Sequence, residues 1–195
     1  MNARRTAHRV TPTNRTGYTA IELIITLVII GIIAAFAFPR VNFTQFQVDA
    51  GARQVRMVLQ NAQRLAITRQ YDVVVSFDAV HSRVRTLEDN DNNNAYTAGE
   101  RSTWSTLEDS VHFAIPPVGV NGAVGSGIVG ASLVTIDGMP SIIFRRDGAG
   151  NTDLELYLTS IRSSANDWRG ITVIQSTGRT DWFKYIGSAW RPGNL

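Results

Sequence analysis

The stretch Gly17-Tyr18-Thr19-Ala20-Ile21-Glu22-Leu23 decides how this chain is read, because it places one carboxylate at the head of an apolar run with no further charge before Arg40. Tyr18 to Phe38 is 21 residues long, and a helix needs about 20 apolar residues to span a bilayer core. This predicts a membrane helix over residues 18–39. Glu22 does not suit an ordinary anchor, since an acid inside a membrane segment costs about 2–3 kcal/mol and marks a function or a partner. The reading of the chain turns on what compensates that acid.

Upstream, residues 1–17 are polar and carry Arg4, Arg5, Arg9 and Arg15 with no acid. By the positive-inside bias this end stays cytoplasmic and the chain beyond the helix is exported. Three readings compete. A secretory signal peptide has a basic start, an apolar stretch and a small-residue cleavage site, and Ala35-Phe36-Ala37 offers such a site. Glu22 within the apolar region speaks against it, as does the amphipathic pattern that continues after Pro39. A plain signal anchor explains the length and leaves Gly17 and Glu22 without purpose.

The third reading rests on a resemblance. A basic leader ending in Gly17, followed by aromatic-Thr-x-x-Glu-Leu and an apolar helix with Pro39, resembles the class III signal of type IV pilins and type II secretion pseudopilins. The resemblance implies that a membrane aspartyl peptidase removes residues 1–17 and that the new amine of Tyr18 is N-methylated. Counted from Tyr18, Glu22 is fifth and Pro39 twenty-second, the family's own positions. Tyr18 replaces the usual Phe and Ala20 the usual Leu. If such helices stack with a stagger, the Glu22 carboxylate meets the Tyr18 amine of a neighbouring subunit, and a low-dielectric core strengthens that pair and makes an unpaired charge costly.

Composition narrows the rest. Four of the 19 Lys and Arg residues lie in the leader, so the chain from Tyr18 onward carries 15 basic against 16 acidic side chains. The net positive charge of the whole chain is therefore no signal for nucleic acid. Cysteine is absent, which excludes disulfides, thiol nucleophiles and thiolate metal sites.

Beyond Pro39, Val48, Ala52, Val55, Leu59, Ala62 and Ala66 recur at alternating intervals of 4 and 3. That spacing predicts an amphipathic continuation of the helix over 40–69, loosened at Pro39 and packed on a sheet through this stripe. From Tyr71 the period becomes 2, with Val73, Val75 and Phe77 alternating, and Arg83 to Leu87 closes a hairpin. A polar loop is expected from Glu88 to Arg101. Strands are expected at 111–115, 133–136, 141–144, 154–158, 170–175 and 181–186, with a loose Gly-rich stretch between Gly119 and Gly130. The fold class is α+β: a long N-terminal helix packed on an antiparallel β domain over 70–195.

This order of elements resembles the H-type minor pseudopilins of type II secretion and their FimT-like relatives in type IV pilus systems, through Ala62-Gln-Arg-Leu-Ala-Ile67, the Phe144-x-x-x-Gly148 turn and the Ile171–Arg179 hairpin. The resemblance covers nearly the whole chain and implies a pilin-like fold. It also implies other pilins or pseudopilins, the prepilin peptidase and an inner-membrane assembly platform as partners. The location it implies is a single-pass inner-membrane precursor with a periplasmic domain, then a periplasmic filament.

Two further motifs carry chemistry. Asp89, Asp91, Asn93, Ala95 (through its carbonyl) and Glu100 fall at positions 1, 3, 5, 7 and 12 of an EF-hand-type calcium loop, with Asn94 where glycine is usual. A solvated Asx-rich turn explains the same residues, and no flanking helix is evident. Near the C-terminus Arg179, Lys184 and Arg191 interleave with Trp182, Phe183, Tyr185 and Trp190, a pattern that tracks phosphates and stacks bases. FimT-like relatives are associated with DNA uptake through a basic Gly-Arg-x-Arg element; here Asp181 replaces its second arginine and repels phosphate. No cofactor other than calcium is suggested. His8, His81 and His112 are scattered, and neither a nucleophile elbow nor a phosphate loop occurs, so the expected protein is not an enzyme.

Overall fold

The structure is a computed structural model and describes residues 17–37, 43–108, 110–162, 164 and 166–193. Two compact units, divided after Asn42, are treated separately. The first holds helix α1, Ala20–Ala37. Thr19 caps it: its hydroxyl accepts the Glu22 N–H at 3.3 Å and its carbonyl accepts the Leu23 N–H at 3.2 Å. Thr19-x-x-Glu22 thus has the spacing of a capping box, and the acid lies in the first turn, where the helix dipole favours negative charge.

Among the described residues no helix is long and apolar enough to cross a membrane. The 18 residues of α1 rise about 27 Å, against a hydrocarbon core of about 30 Å. Residues 38–42, with Pro39 and the expected loosening there, lie outside the described residues, as does the leader before Gly17.

The second unit packs one face of a helix against two antiparallel sheets. Helix α2, Phe43–Arg69, ends where Gln70 turns left-handed (φ 62°) and donates its N–H to the Ala66 carbonyl. Its six-residue stripe from Val48 to Ala66 is fully buried, at 0–1% exposure. The first sheet contains β1 (Asp72–Asp78), β2 (Arg83–Asp89), β3 (Ser102–Thr106), β6 (Val134–Ile136) and β7 (Met139–Phe144), in the order β3-β2-β1-β7-β6. The second contains β4 (Val111–Phe113), β8 (Leu154–Ser160), β9 (Arg169–Val173), β10 (Thr180–Ile186) and β11 (Ala189–Pro192), in the order β11-β10-β9-β8-β4, with β5 (Ile128–Val129) also on β8.

One core joins the α2 stripe to Val73, Val75 and Phe77 of β1, Leu154, Leu156 and Leu158 of β8, and Ile171 and Trp182. On the far side of the first sheet Val74, Leu87, Ile136 and Ile143 form a smaller cluster, which is why β1 is buried on both faces.

Three strands depart from the sequence expectation. β3 is a polar, exposed edge strand whose Ser-Thr-Trp-Ser-Thr run has no apolar alternation, so only its Thr and Trp content favours a strand. β5 sits inside the Gly-rich stretch read as loose; a Cβ on Gly127 would stand 2.8 Å from Ala114 backbone atoms, so glycine there lets two backbones approach. β11 closes the second sheet with residues read only as a cationic and aromatic tail. α2 consequently meets two sheets instead of one.

Candidate functional site

Gly17, Tyr18 and Thr19 precede the first turn of α1. Tyr18 is 85% exposed, and a Cβ on Gly17 would meet nothing within 4 Å. One turn on, the Glu22 side chain makes no hydrogen bond or ion pair among the described residues. The apolar side chains from Ile21 to Ile33 are at least half exposed on every face of α1. A helix that is apolar all round belongs in a membrane or in a packed assembly.

The acidic loop between β2 and β3 is drawn together by its own backbone. Asp89 is fully buried and accepts the N–H groups of Asn93 (3.1 Å) and Asn94 (2.8 Å). Asp91 accepts from Asn93 and from the Thr97 hydroxyl, and the Asn93 side-chain oxygen accepts the Ala95 N–H at 2.7 Å. Glu100 closes the loop by accepting the N–H groups of Asn90 and Thr97, each at 2.8 Å. Ligand atoms of Asp89, Asp91 and Glu100 lie within 4.8 Å of one another, and Asn94 adopts φ 58°, the conformation glycine supplies in a calcium loop. Burial pushes the Asp89 carboxyl up; the Asp91 and Glu100 carboxylates push the same way, against the lowering effect of the Asn94 and Asn93 amides. Three acids held this closely gain from a cation, although the loop amides already occupy much of their acceptor capacity.

At the C-terminal sheet the expected nucleic-acid residues divide. Arg179 is held by Asp181, with nitrogens 2.8 and 2.7 Å from the same carboxylate oxygen. Lys184 and Arg191 are cross-strand partners on β10 and β11, and Arg169 faces Lys184 from β9. Trp182 is buried in the core, while Tyr185 and Trp190 pack edge to face at 5.1 Å. Trp182, Tyr185 and Trp190 therefore spend their faces on packing.

A groove of about 780 Å³ runs past Gln70, Asp72, Ser132, Arg145, Arg146 and Asn151, is open, and mixes polar side chains with Val134 and Ile143. His81 is taken by Asp78, its ring nitrogen 2.8 Å from the carboxylate. Burial alone raises the Asp78 carboxyl, but hydrogen bonds from Arg83 and from the His81 backbone and ring outweigh it and hold the group down at about 2. Tyr71 bonds to Glu88, and burial together with that contact pushes its hydroxyl up to about 12.

Sequence reasoning missed three fixing contacts. Thr19 as a cap was readable from Thr-x-x-Glu. The buried Arg169 paired with Asp49 of α2 spans 120 positions and had no local signal. Gln63 of α2 donates to the carbonyls of Gly148 (3.0 Å) and Thr177 (2.7 Å) and so ties both turns to the helix; Gly178, at φ 63°, sits too close to the Gly148 carbonyl for any side chain.

These residues define an α+β chain with a capped apolar helix, its cleavable-looking end exposed, and a domain of two antiparallel sheets around an amphipathic helix. It is similar to two solved structures of the minor pseudopilin EpsH from the type II secretion system of Vibrio cholerae. One matches at 12% identity over 69% of this chain and 94% of that one, the other at 14% over 77% and 98%, each with a TM-score of 0.48. No family model and no curated protein matches the chain.

Proposed function

We propose that this chain is a minor pseudopilin of the H type: held in the inner membrane by the segment containing α1, cut after Gly17, methylated on Tyr18, and assembled into a periplasmic filament that drives protein secretion across the outer membrane. The observation that carries the reading is the Gly17-Tyr18-Thr19-x-x-Glu22 signal at the open end of a helix whose apolar side chains have no cover in the single chain. A bilayer before assembly and neighbouring helices after it supply that cover. The Tyr18 amine of a neighbouring subunit supplies the partner Glu22 lacks, and a charge pair in a low-dielectric core sets register as well as affinity. Pro39 is assigned to the same helical core by the resemblance. Glu22→Ala is expected to leave cleavage after Gly17 intact while the mature protein no longer co-purifies with its assembly partners; normal co-purification contradicts the assembly role. The FimT-like alternative, a minor pilin serving pilus priming or DNA capture, gains nothing from Arg179, which Asp181 neutralises. Neighbouring genes for a secretion channel or for a pilus motor discriminate the two systems.

We also propose that the Asp89–Glu100 loop takes calcium, on the strength of its three convergent carboxylates and the left-handed Asn94. Bound calcium would offset the burial, and with it the nearby Asp91 and Glu100 carboxylates, that keep the Asp89 carboxyl raised. Millimolar calcium is expected to raise the melting temperature of the protein, and Asp91→Asn to abolish the rise; no shift and no heat of binding removes the proposal.

A further inference from the structure

The β-sheet unit has two ends along α2, and they differ. At one end Gln63 reaches the turns at Gly148 and Thr177. At the other, about 21 Å away along the helix, Asp49 pairs with Arg169. Contacts gather several tips at this second end. Val111 packs on Gly51, Ile161 donates its N–H to the Ser110 carbonyl, and Leu107 donates to the Ser82 carbonyl in the β1–β2 turn. The β10–β11 turn lies just beyond Lys184, the cross-strand neighbour of Arg169. The first turn of α2 is there as well.

This rim carries the four most exposed large apolar side chains of the unit: Val80 at 87%, Ile161 at 70%, Phe46 at 67% and Phe43 at 61%, with Ile186 at 46% beside them. They come from four separate segments, and the fold itself uses none of them. Around them Arg162, Lys184 and Arg191 make no ion pair among the described residues; Glu108 is an exposed acid, and Asp137, in the β6–β7 turn beside the end of β1, is taken by Arg85. Arg83 and Arg169 are neutralised by Asp78 and Asp49. Apolar side chains set among unpaired cations suit a bilayer interface with anionic headgroups.

We propose that this rim rests on an anionic phospholipid surface. The inference builds on the reading that the α1 segment inserts in the membrane. Chain length then constrains the rim: from Ala37 to Phe43 are six residue steps, at most about 21 Å fully extended. Before assembly, the apolar tips lie at headgroup depth and the cations meet phosphate.

The chain has no cysteine, so single labels are unambiguous. The full chain, bearing Val80→Cys, Ile161→Cys or Ile186→Cys and an environment-sensitive fluorophore, is reconstituted at low protein density in vesicles of phosphatidylcholine and phosphatidylglycerol. Ser176→Cys, exposed at the opposite end, is the reference. The rim labels are expected to shift to the blue and to be quenched several-fold less by acrylamide than the reference, with weaker shielding in phosphatidylcholine alone. Equal quenching of all four labels in a chain that floats with the vesicles overturns the proposal and leaves the membrane reading standing. Shielding that appears only at high protein density also overturns it, and assigns the rim to contacts between protein chains. A chain that does not float removes both.

Discussion

The two helices of this chain solve the same problem in opposite ways. α2 buries its stripe from Val48 to Ala66 against two sheets, and Gln63 and Asp49 tie it to two turns and a strand far away in sequence. α1 has apolar residues on every face and, among the described side chains, buries none of the large ones. α2 buries its stripe within the chain; α1 requires another medium or another molecule. The same contrast holds for acids: Asp78 is enclosed by Arg83 and His81, whereas Glu22 has a helix terminus and, among the described residues, no side-chain partner.

The contrast predicts that equivalent substitutions have unequal consequences. Leu59→Ala, at a fully buried position of α2, removes packing on both sheets and is expected to destabilise the fold by about 3–4 kcal/mol, measured by denaturant unfolding. Leu27→Ala in α1 is expected to leave that unfolding curve unchanged and to weaken membrane partition or filament contacts alone. A comparable loss of fold stability from Leu27→Ala would break the division. A smaller effect follows from Asp78. Its folded carboxyl is held near 2, below the unfolded value near 4, so its contribution is present above about pH 4 and disappears as pH falls toward 2, amounting to about 1 kcal/mol at a partly solvated site. Asp78→Asn should flatten the acid limb of the stability curve; an unchanged limb places the acid sensitivity elsewhere.

Sequence made the two helices legible for a physical reason. Burial of a single stripe imposes a period, and Val48, Ala52, Val55, Leu59, Ala62 and Ala66 display it; the run after Gly17 displays the absence of any polar face. The paired core strands β1 and β2 also alternate visibly. β3 and β11 were illegible because edge strands are held by one neighbour's backbone and need no apolar period. The Asp49–Arg169 pair was illegible because it exists only once the β domain has closed on α2. The acidic loop was legible as spacing, and the structure adds that its amides and carboxylates converge. The expected DNA-contacting residues were legible as composition, but the Arg179–Asp181 contact and the packed aromatics changed what that composition does.

The central claim is that Gly17 and Tyr18 form a processing site and that Glu22 awaits the amine created there. The most direct measurement is mass spectrometry of the N-terminus of the protein recovered from cells that contain a prepilin peptidase. The account predicts a chain beginning at N-methylated Tyr18. A chain beginning after Ala37 identifies a secretory signal peptide, one still carrying residues 1–17 identifies a plain anchor, and either result contradicts it.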